Sequence, residues 1–297
     1  MKTSGQIEQL RALIDRADAV ARTARGYWKA AIEDIQKEIV FLSGRLNIGS
    51  SAADREKVFR AIERQIARLN RRIDGLVSSQ MSVAGRMGVR AANSMTGIMI
   101  EYSQKRVDAV LAAVEATGGE NMAAVFTQSM SRNAIGALRS AVVGAFQEQA
   151  LTGSTLREMG QDLRDRWEAA AKNEANFRFV DRAGREWETE RYIQMNVRTN
   201  TMRVYNDMIA DTAIRATGSD LMRISDDGRT ADSCDPCQRW AGKIVSMTGA
   251  TKGFPTIDEA RSDGLFHPNC IHTLEPVIEG VDDDEIEAQR SKKGAKK

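Results

Sequence analysis

Residues 7–42 read IEQLRALIDRADAVARTARGYWKAAIEDIQKEIVFL, and this stretch decides the fold of the N-terminal half. Apolar residues recur in it every seven positions, and a second apolar series lies three residues after the first. The first series is Ile7, Ile14, Ala21, Trp28, Ile35 and Leu42, and the second is Leu10, Ala17, Ala24 and Ala31. Two such series predict a long amphipathic helix that packs against another helix.

A second heptad pattern follows a segment at 43–51 that is rich in Ser and Gly. Its members are Phe59, Ile62, Ile66, Leu69, Ile73 and Leu76. Two heptad helices joined by a turn predict an antiparallel, coiled-coil-like hairpin over 3–78. The same spacing also fits two helices buried in a bundle, so the sequence leaves open whether the hairpin projects towards a partner.

Further helices are predicted over 79–151, which completes a helical N-terminal region at 1–153. No proline occurs before Pro236, so long uninterrupted helices are permitted. Methionines recur near the start of this stretch, and we expect them to fill the core rather than form a partner surface. They are Met81, Met87, Met95 and Met99.

A different pattern predicts a small α+β module at 154–276. Residues 177–187 alternate in polarity around Ala183-Gly184, which is typical of a β-hairpin. A helix is predicted over 189–217 because Gly218 is a stop signal, and short strands are predicted at 221–225 and 240–245. The remaining residues, 277–297, are an acidic run followed by a basic run, and we expect a disordered tail there.

All cysteines and histidines of the chain lie between Cys234 and His272. A Cys-x2-Cys pair and a His-x2-Cys pair supply the donor types of a tetrahedral structural zinc site. The predicted ligands are Cys234, Cys237, His267 and Cys270, with His272 as a substitute for His267. The fold class is therefore mainly α, with a small α+β module that contains a zinc knuckle. Free thiols and a Cys234–Cys237 disulfide remain alternatives.

The same window allows two enzymatic hypotheses. Cys270 with a nearby histidine suggests a nucleophile and its base, but a spacing of two or three residues does not place them as a catalytic triad requires. His267, Asn269 and His272 are loosely similar to HNH-type endonucleases, although the consecutive histidine pair of those enzymes is absent. Nuclease activity therefore stays an alternative function.

The charge of the chain is nearly balanced, at +2 overall, so bulk attraction to nucleic acid is excluded. Residues 41–90, however, contain 10 Lys and Arg against 4 Asp and Glu. This surplus makes an internal DNA-binding protein a further alternative, and a solvated helical face explains it equally well. The candidate phosphate contacts are Arg64, Arg68, Arg71, Arg72, Arg86 and Arg90.

Targeting signals are absent from the sequence pattern. No stretch free of Asp, Glu, Lys and Arg exceeds 11 residues, so we expect no membrane span. The first residues contain no apolar segment like that of a signal peptide. Three cysteines make an odd number, which fits a reducing cytoplasm better than a disulfide framework.

Three motifs occur in order between Phe179 and Pro276. They are Phe179–Trp187 with Tyr192 and Arg198-Thr199, then Ser225-Asp226-Asp227 through Cys234–Cys237 to Ala241-Gly242-Lys243, and finally His267-Pro268-Asn269-Cys270 with Leu274-Glu275-Pro276. This third of the chain resembles the phage Mu F-like head morphogenesis family, whose members are also called minor capsid or minor head proteins. The chain departs from that family at Ile271-His272, where relatives often carry a basic residue and a third thiol-type position.

The resemblance implies a low-copy head protein of a tailed phage or prophage, found in the virion and assembled in the bacterial host cytoplasm. Such proteins associate with the portal vertex during head assembly, so the expected partners are the portal protein, the major capsid protein or both. Some of them contact packaged double-stranded DNA and affect its packaging or delivery. They are not established enzymes, so the expected role is binding without turnover.

Overall fold

The computed structural model describes residues 4–45, 52–116, 178–180, 186–226 and 234–294, together with eleven single helical positions between 136 and 169. Of the turn predicted at 43–51, residues 43–45 belong instead to the first helix, and 46–51 lie outside the described residues. The break at 117–119 and most of the helices predicted over 121–151 also lie outside them. Three helices come first: α1 (Ser4–Arg45), α2 (Ala52–Thr96) and α3 (Gln104–Ala116). The predicted mainly helical fold is confirmed, and no described helix is both long and apolar enough to span a membrane.

The second half of the chain contains the β-structure. The described elements are β1 (Arg178–Val180), β2 (Glu186–Glu188), α4 (Thr189–Thr217), β3 (Leu221–Ile224), α5 (Asp235–Trp240), β4 (Ile244–Ser246), α6 (Ile257–Ser262), β5 (Leu274–Pro276) and α7 (Asp283–Gly294). The strands β1 and β2 form an antiparallel pair, as predicted, and the strands β4, β3 and β5 form an antiparallel sheet in that order. The bounds of α4 are the predicted ones.

The chain divides into two compact units that do not follow chain order. The first consists of 1–18, 78–119 and 195–297, and the second of 19–77 and 120–194. The domain boundaries predicted from the sequence, at 153 and 276, stay a prediction. Residues far apart in the sequence thus build each compact unit.

Within the second unit, α1 and α2 contact each other in antiparallel order. Gln65 donates to Glu38 at 2.7 Å, and the guanidinium of Arg72 lies 4.1 Å from the centre of the Tyr27 ring. The heptad residue Ile35 is buried, as are the members of the second series at 62, 66, 69 and 73. These contacts join the two helices, while the coiled-coil form of the hairpin stays a prediction.

The helix α2 continues without a break to Thr96, well past the predicted end of the hairpin at 78. In the first unit it passes so close to α4 that a Cβ atom on Gly88 would lie 2.6 Å from the main-chain oxygen of Tyr205. Gly85 packs in the same way against the side chain of Val107. Glycine has a low helix propensity, but the lack of a side chain at Gly85 and Gly88 permits this close packing. Of the methionines expected in the core, Met81 is buried, but 84% of Met99 is exposed.

The three-stranded sheet and α7 share one hydrophobic cluster. Its members are Leu221, Ile244, Phe254, Val277 and Ile286. Arg223 on β3 forms ion pairs with Asp282 at 3.1 Å and with Glu285, and Gln289 exchanges two hydrogen bonds with the main chain of Ile244. The expectation of a disordered tail at 277–297 is therefore wrong for Asp283–Gly294, because Ile286 and these polar contacts attach the helix to the sheet.

Candidate metal centre

All five donors predicted from the sequence meet in the first unit, between α5 and the loop that leads into β5. Cys234 caps the N-terminus of α5, and Cys237 follows one turn later, where Pro236 favours the start of a helix. His267 and Cys270 lie in the loop after α6, and His272 lies two residues before β5. Two overlapping groups can hold a metal ion: Cys234, Cys237 and His267, and Cys237, Cys270 and His272.

Three pairs of donor atoms lie at or below the separations of a tetrahedral zinc site. His267 Nε2 lies 3.0 Å from Cys234 Sγ and 3.2 Å from Cys237 Sγ, and Cys237 Sγ lies 3.8 Å from Cys270 Sγ. Ideal zinc–ligand bond lengths place two sulfurs about 3.8 Å apart and a sulfur and a nitrogen about 3.5 Å apart. None of the three cysteines is in a disulfide, so the Cys234–Cys237 disulfide is not formed here.

The backbone of the loop after α6 presents His267 and Cys270 together. Phe266, which precedes His267, and Asn269, which precedes Cys270, both have left-handed φ angles, of 58° and 65°. Such angles are uncommon for residues other than glycine and are often found at functional sites. The Cys270 N–H donates to the His267 oxygen at 2.9 Å, which closes a tight turn.

A hydrogen bond orients the ring of His267. Its Nδ1 lies 2.8 Å from the carbonyl oxygen of Pro268. Since a carbonyl oxygen only accepts, Nδ1 carries the proton and donates, which leaves the Nε2 lone pair directed at the two sulfurs. Metal-bound histidines commonly use their second nitrogen in this way. His272 differs because its Nδ1 lies 3.4 Å from Cys270 Sγ, and its side chain is buried.

The electrostatics of the cluster determine how protons and a metal ion compete for its buried sulfurs. Burial raises the pKa of the Cys237 thiol, and the neighbouring sulfurs of Cys270 and Cys234 raise it further. Burial also raises the pKa of Cys270, although main-chain N–H groups of His272 and Phe266 donate to its sulfur and oppose that shift. Buried thiols so close together stay protonated without a positive charge, and a divalent metal would displace their protons.

Two polar residues of α4 hold the loop that carries His267, Cys270 and His272, and the sequence does not identify either residue as part of the site. The Asn206 side chain donates to the His272 oxygen at 3.0 Å and accepts from the Leu274 N–H at 3.1 Å. About two turns earlier in α4, the Thr199 hydroxyl accepts a hydrogen bond from the Asn269 N–H at 3.1 Å. Their spacing of seven residues places both on one helix face, which is visible in the sequence, but nothing there marks what they contact.

Side chains of the short helix α5 form a hydrogen bond and an ion pair with Asp263, the residue directly after α6. Trp240 donates through its indole N–H to Asp263 at 2.8 Å, and Arg239 forms an ion pair with the same carboxylate at 2.9 Å. Gly264, which has a left-handed φ of 97°, lies close to Pro236. These contacts hold α5, with Cys237 and the preceding Cys234, beside the loop that carries His267 and Cys270.

The six arginines predicted to contact DNA are all exposed. Arg64, Arg68, Arg71 and Arg72 belong to the second unit, whereas Arg86 and Arg90 belong to the first. Arg72 stacks on Tyr27, and the guanidinium of Arg86 lies 5.7 Å from the centre of the Tyr102 ring. Their contact with DNA stays a prediction.

The chain was compared with known proteins. A family model described as phage minor capsid protein 2 matches residues 76–296, and the match begins in α2, well before the first motif noted in the sequence. A structural protein of Lactococcus phage LL-H is 27% identical over 110 residues, which cover 34% of this chain and 29% of that relative. The chain therefore matches less than a third of the length of that relative. No solved structure matches.

Proposed function

Because the chain belongs to the phage minor capsid protein 2 family, we propose that it is a minor head protein of a tailed phage or prophage that acts at the portal vertex. The family match over 76–296 carries this proposal, and the similarity to a phage structural protein supports it. The protein would bind the portal protein or the major capsid protein during head assembly in the host cytoplasm, and it would remain in the virion. It would contribute to DNA packaging or delivery by binding, without catalysing a reaction.

The proposed contact point for a virion partner is the loop between α2 and α3. Met99 at its tip is 84% exposed and Ile98 is 42% exposed. The loop is nevertheless ordered, because the Asn93 side chain donates to the Ile100 oxygen and accepts from the Ile100 N–H. A preformed apolar projection loses little conformational entropy on binding, which suits a partner-binding surface. The coiled-coil hairpin would provide a second, longer surface for the same partners.

The proposed metal is zinc, held by Cys234, Cys237, Cys270 and His267. Thiolate and imidazole donors at tetrahedral spacing favour zinc over hard cations such as Mg²⁺. His267 is preferred to His272 because its Nε2 lies near two sulfurs and its Nδ1 is already hydrogen-bonded. Bound there, the metal would join α5 to the loop before β5 and stabilise the small sheet.

The donor set argues against the nuclease alternative. A catalytic zinc keeps one position open for water or substrate, whereas four protein ligands close a structural site. Here His272 groups with Cys237 and Cys270, two of the four proposed ligands, and offers a further protein donor. The histidines that suggested an HNH-type site are therefore better explained as structural ligands. We propose no catalytic residue.

Quantitative mass spectrometry of purified phage particles tests the proposed location. A minor head protein is expected at about one to two orders of magnitude fewer copies than the major shell protein, whose copy number follows from the shell symmetry. A portal-associated protein should also be recovered with the portal after gentle disruption of the head. Absence from particles, or a copy number equal to that of the shell protein, would contradict the proposal.

Elemental analysis of the purified protein tests the metal site separately. We expect one zinc per chain in the parent and loss of zinc in Cys237→Ser. His267→Ala should lose zinc, and the matched variant His272→Ala should keep it. Retention by His267→Ala with loss in His272→Ala would reverse the histidine assignment. A parent protein without stoichiometric zinc after expression in zinc-supplemented medium would refute the site.

A further inference from the structure

Five basic residues of α2 lie along one side of the helix in the second unit. At 100° per residue, Lys57, Arg60, Arg64, Arg68 and Arg71 fall within about 80° of the helix circumference and extend over about 21 Å of its length. All five are exposed. We name these five residues the basic stripe. It includes three of the six predicted arginines and adds Lys57 and Arg60.

Acidic residues do not interrupt the basic stripe. Glu56, Glu63 and Asp74 of α2 lie about 90° away around the helix. Arg60 pairs with Glu56 at 3.1 Å, and Arg64 lies 3.8 Å from Glu38 of α1. Arg60, Arg64 and Glu56 are exposed, and Glu38 is partly exposed. Solvent-exposed pairs contribute less than about 1 kcal/mol, so an incoming anion can replace them. Among the described residues, neither Arg68 nor Arg71 is in an ion pair.

We propose that the basic stripe binds the phosphodiester backbone of double-stranded DNA without reading its sequence. One DNA strand carries a phosphate about every 3.4 Å along the helix axis, so about six phosphates lie alongside 21 Å of the stripe. Four of the five cations are arginines, whose guanidinium groups can bind phosphate oxygens with two parallel hydrogen bonds. The stripe therefore has a charge density comparable to that of one strand.

The surroundings of the basic stripe favour DNA over an acidic protein surface. Protein interfaces have an apolar or aromatic centre from which water is excluded. The exposed large hydrophobic residues among those described are Ile7, Phe41, Ile98, Met99 and Val281, and none lies on α2 between 52 and 77. An interface made of cations alone is typical of contacts with the DNA backbone. DNA binding in solution needs no portal protein, so this proposal and the proposed function can fail independently.

Fluorescence anisotropy with a labelled DNA duplex of mixed sequence tests the proposal on the full-length, zinc-loaded protein. Five phosphate contacts predict a slope of about −4.5 for log Kobs against log salt, or about a 500-fold loss of affinity between about 50 and 200 mM salt. The triple variant Arg64→Gln, Arg68→Gln, Arg71→Gln should reduce the slope to about −1.8, or about a 12-fold loss over the same range. Glutamine favours helix, so we expect the variant to fold.

Two matched triple variants complete the experiment. Arg11→Gln, Arg22→Gln, Lys105→Gln removes the same charge from exposed positions outside the basic stripe and should keep the parent slope. Replacing Arg64, Arg68 and Arg71 by Lys should also keep most of the slope, which separates charge from helix structure. Equal effects of the two Gln variants, or no binding by the parent, would overturn the proposal. Stripe-dependent binding of poly-L-glutamate as tight as that of DNA would also overturn it, in favour of an acidic protein partner.

Discussion

The glycines of α2 allow one substitution to be tested in two opposite environments. Gly75 is exposed, and a Cβ atom added there would meet no heavy atom within 4 Å. Alanine is favoured over glycine inside a helix because it loses less backbone entropy on folding. Gly75→Ala should therefore raise the free energy of unfolding by about 0.5–1 kcal/mol.

The same substitution at Gly88 should lower the free energy of unfolding. Its Cβ atom would lie 2.6 Å from the main-chain oxygen of Tyr205 and 2.8 Å from Met208 Cβ. A main-chain oxygen cannot rotate away, so α2 and α4 must separate by about 0.5–1 Å, which forfeits a quarter to a half of the dispersion attraction of the atoms involved. Overpacking of this kind costs about 1–3 kcal/mol, which exceeds the gain in helix propensity.

Urea denaturation followed by far-UV circular dichroism measures both effects. The expected order of stability is Gly75→Ala, then the parent, then Gly88→Ala. Gly85→Ala should lie between the parent and Gly88→Ala, because its Cβ atom would meet Val107 Cγ2 at 2.7 Å and a side chain can adjust. If Gly88→Ala were as stable as Gly75→Ala, the close crossing of α2 and α4 would be refuted.

Three further predictions concern the small sheet and its helices. Asp220→Asn should lower the free energy of unfolding by about 2 kcal/mol at neutral pH. Burial would raise the pKa of Asp220, but hydrogen bonds from Ser246, Thr248 and Thr251 outweigh burial and hold that pKa well below its usual range. The stability deficit of the variant should therefore shrink below about pH 4, where the carboxylate of the unfolded parent becomes protonated. Urea titrations at several pH values measure this deficit, and a deficit that is constant with pH would contradict the prediction. Ile286→Ala should cost about 2–4 kcal/mol in thermal unfolding, whereas the exposed control Val281→Ala should not change stability. Asn206→Ala should weaken zinc binding about tenfold or more, as measured by competition with a chelator, while the helical content of the protein stays unchanged. An unchanged zinc affinity would contradict the role of Asn206 in holding the loop.

Local signals explain the parts of the fold that the sequence predicts well. Gly218 follows α4 and has a left-handed φ of 74°, so the stop signal in the sequence is the residue that ends the helix. The confinement of every Cys and His to one window likewise identifies the candidate metal donors. Spacing alone, however, does not decide between His267 and His272, because that choice depends on which ring nitrogen the folded loop presents.

Non-local contacts explain the parts that the sequence does not predict. The composition of 277–297 is charged enough to indicate disorder, yet Ile286 is buried against Leu221 and Ile244, which lie far earlier in the chain. Arg223 supplies the partner for the acidic residues at the start of α7. In the same way, Gly85 and Gly88 lower the helix propensity locally, and their close packing against Val107 and Tyr205 depends on residues far away in the sequence.

The edges of the three-stranded sheet suggest which surfaces of the protein are open to partners. Gln289 of α7 bonds both main-chain groups of Ile244 on β4, and Asn206 of α4 accepts from the Leu274 N–H on β5. Because β3 lies between these strands, a side-chain amide from a helix occupies each outer edge. An edge occupied in this way does not accept an added strand. Partners should therefore bind the helices and the loop between α2 and α3, while α7 stabilises a sheet whose strands have only three or four residues, and the proposed metal would do so too.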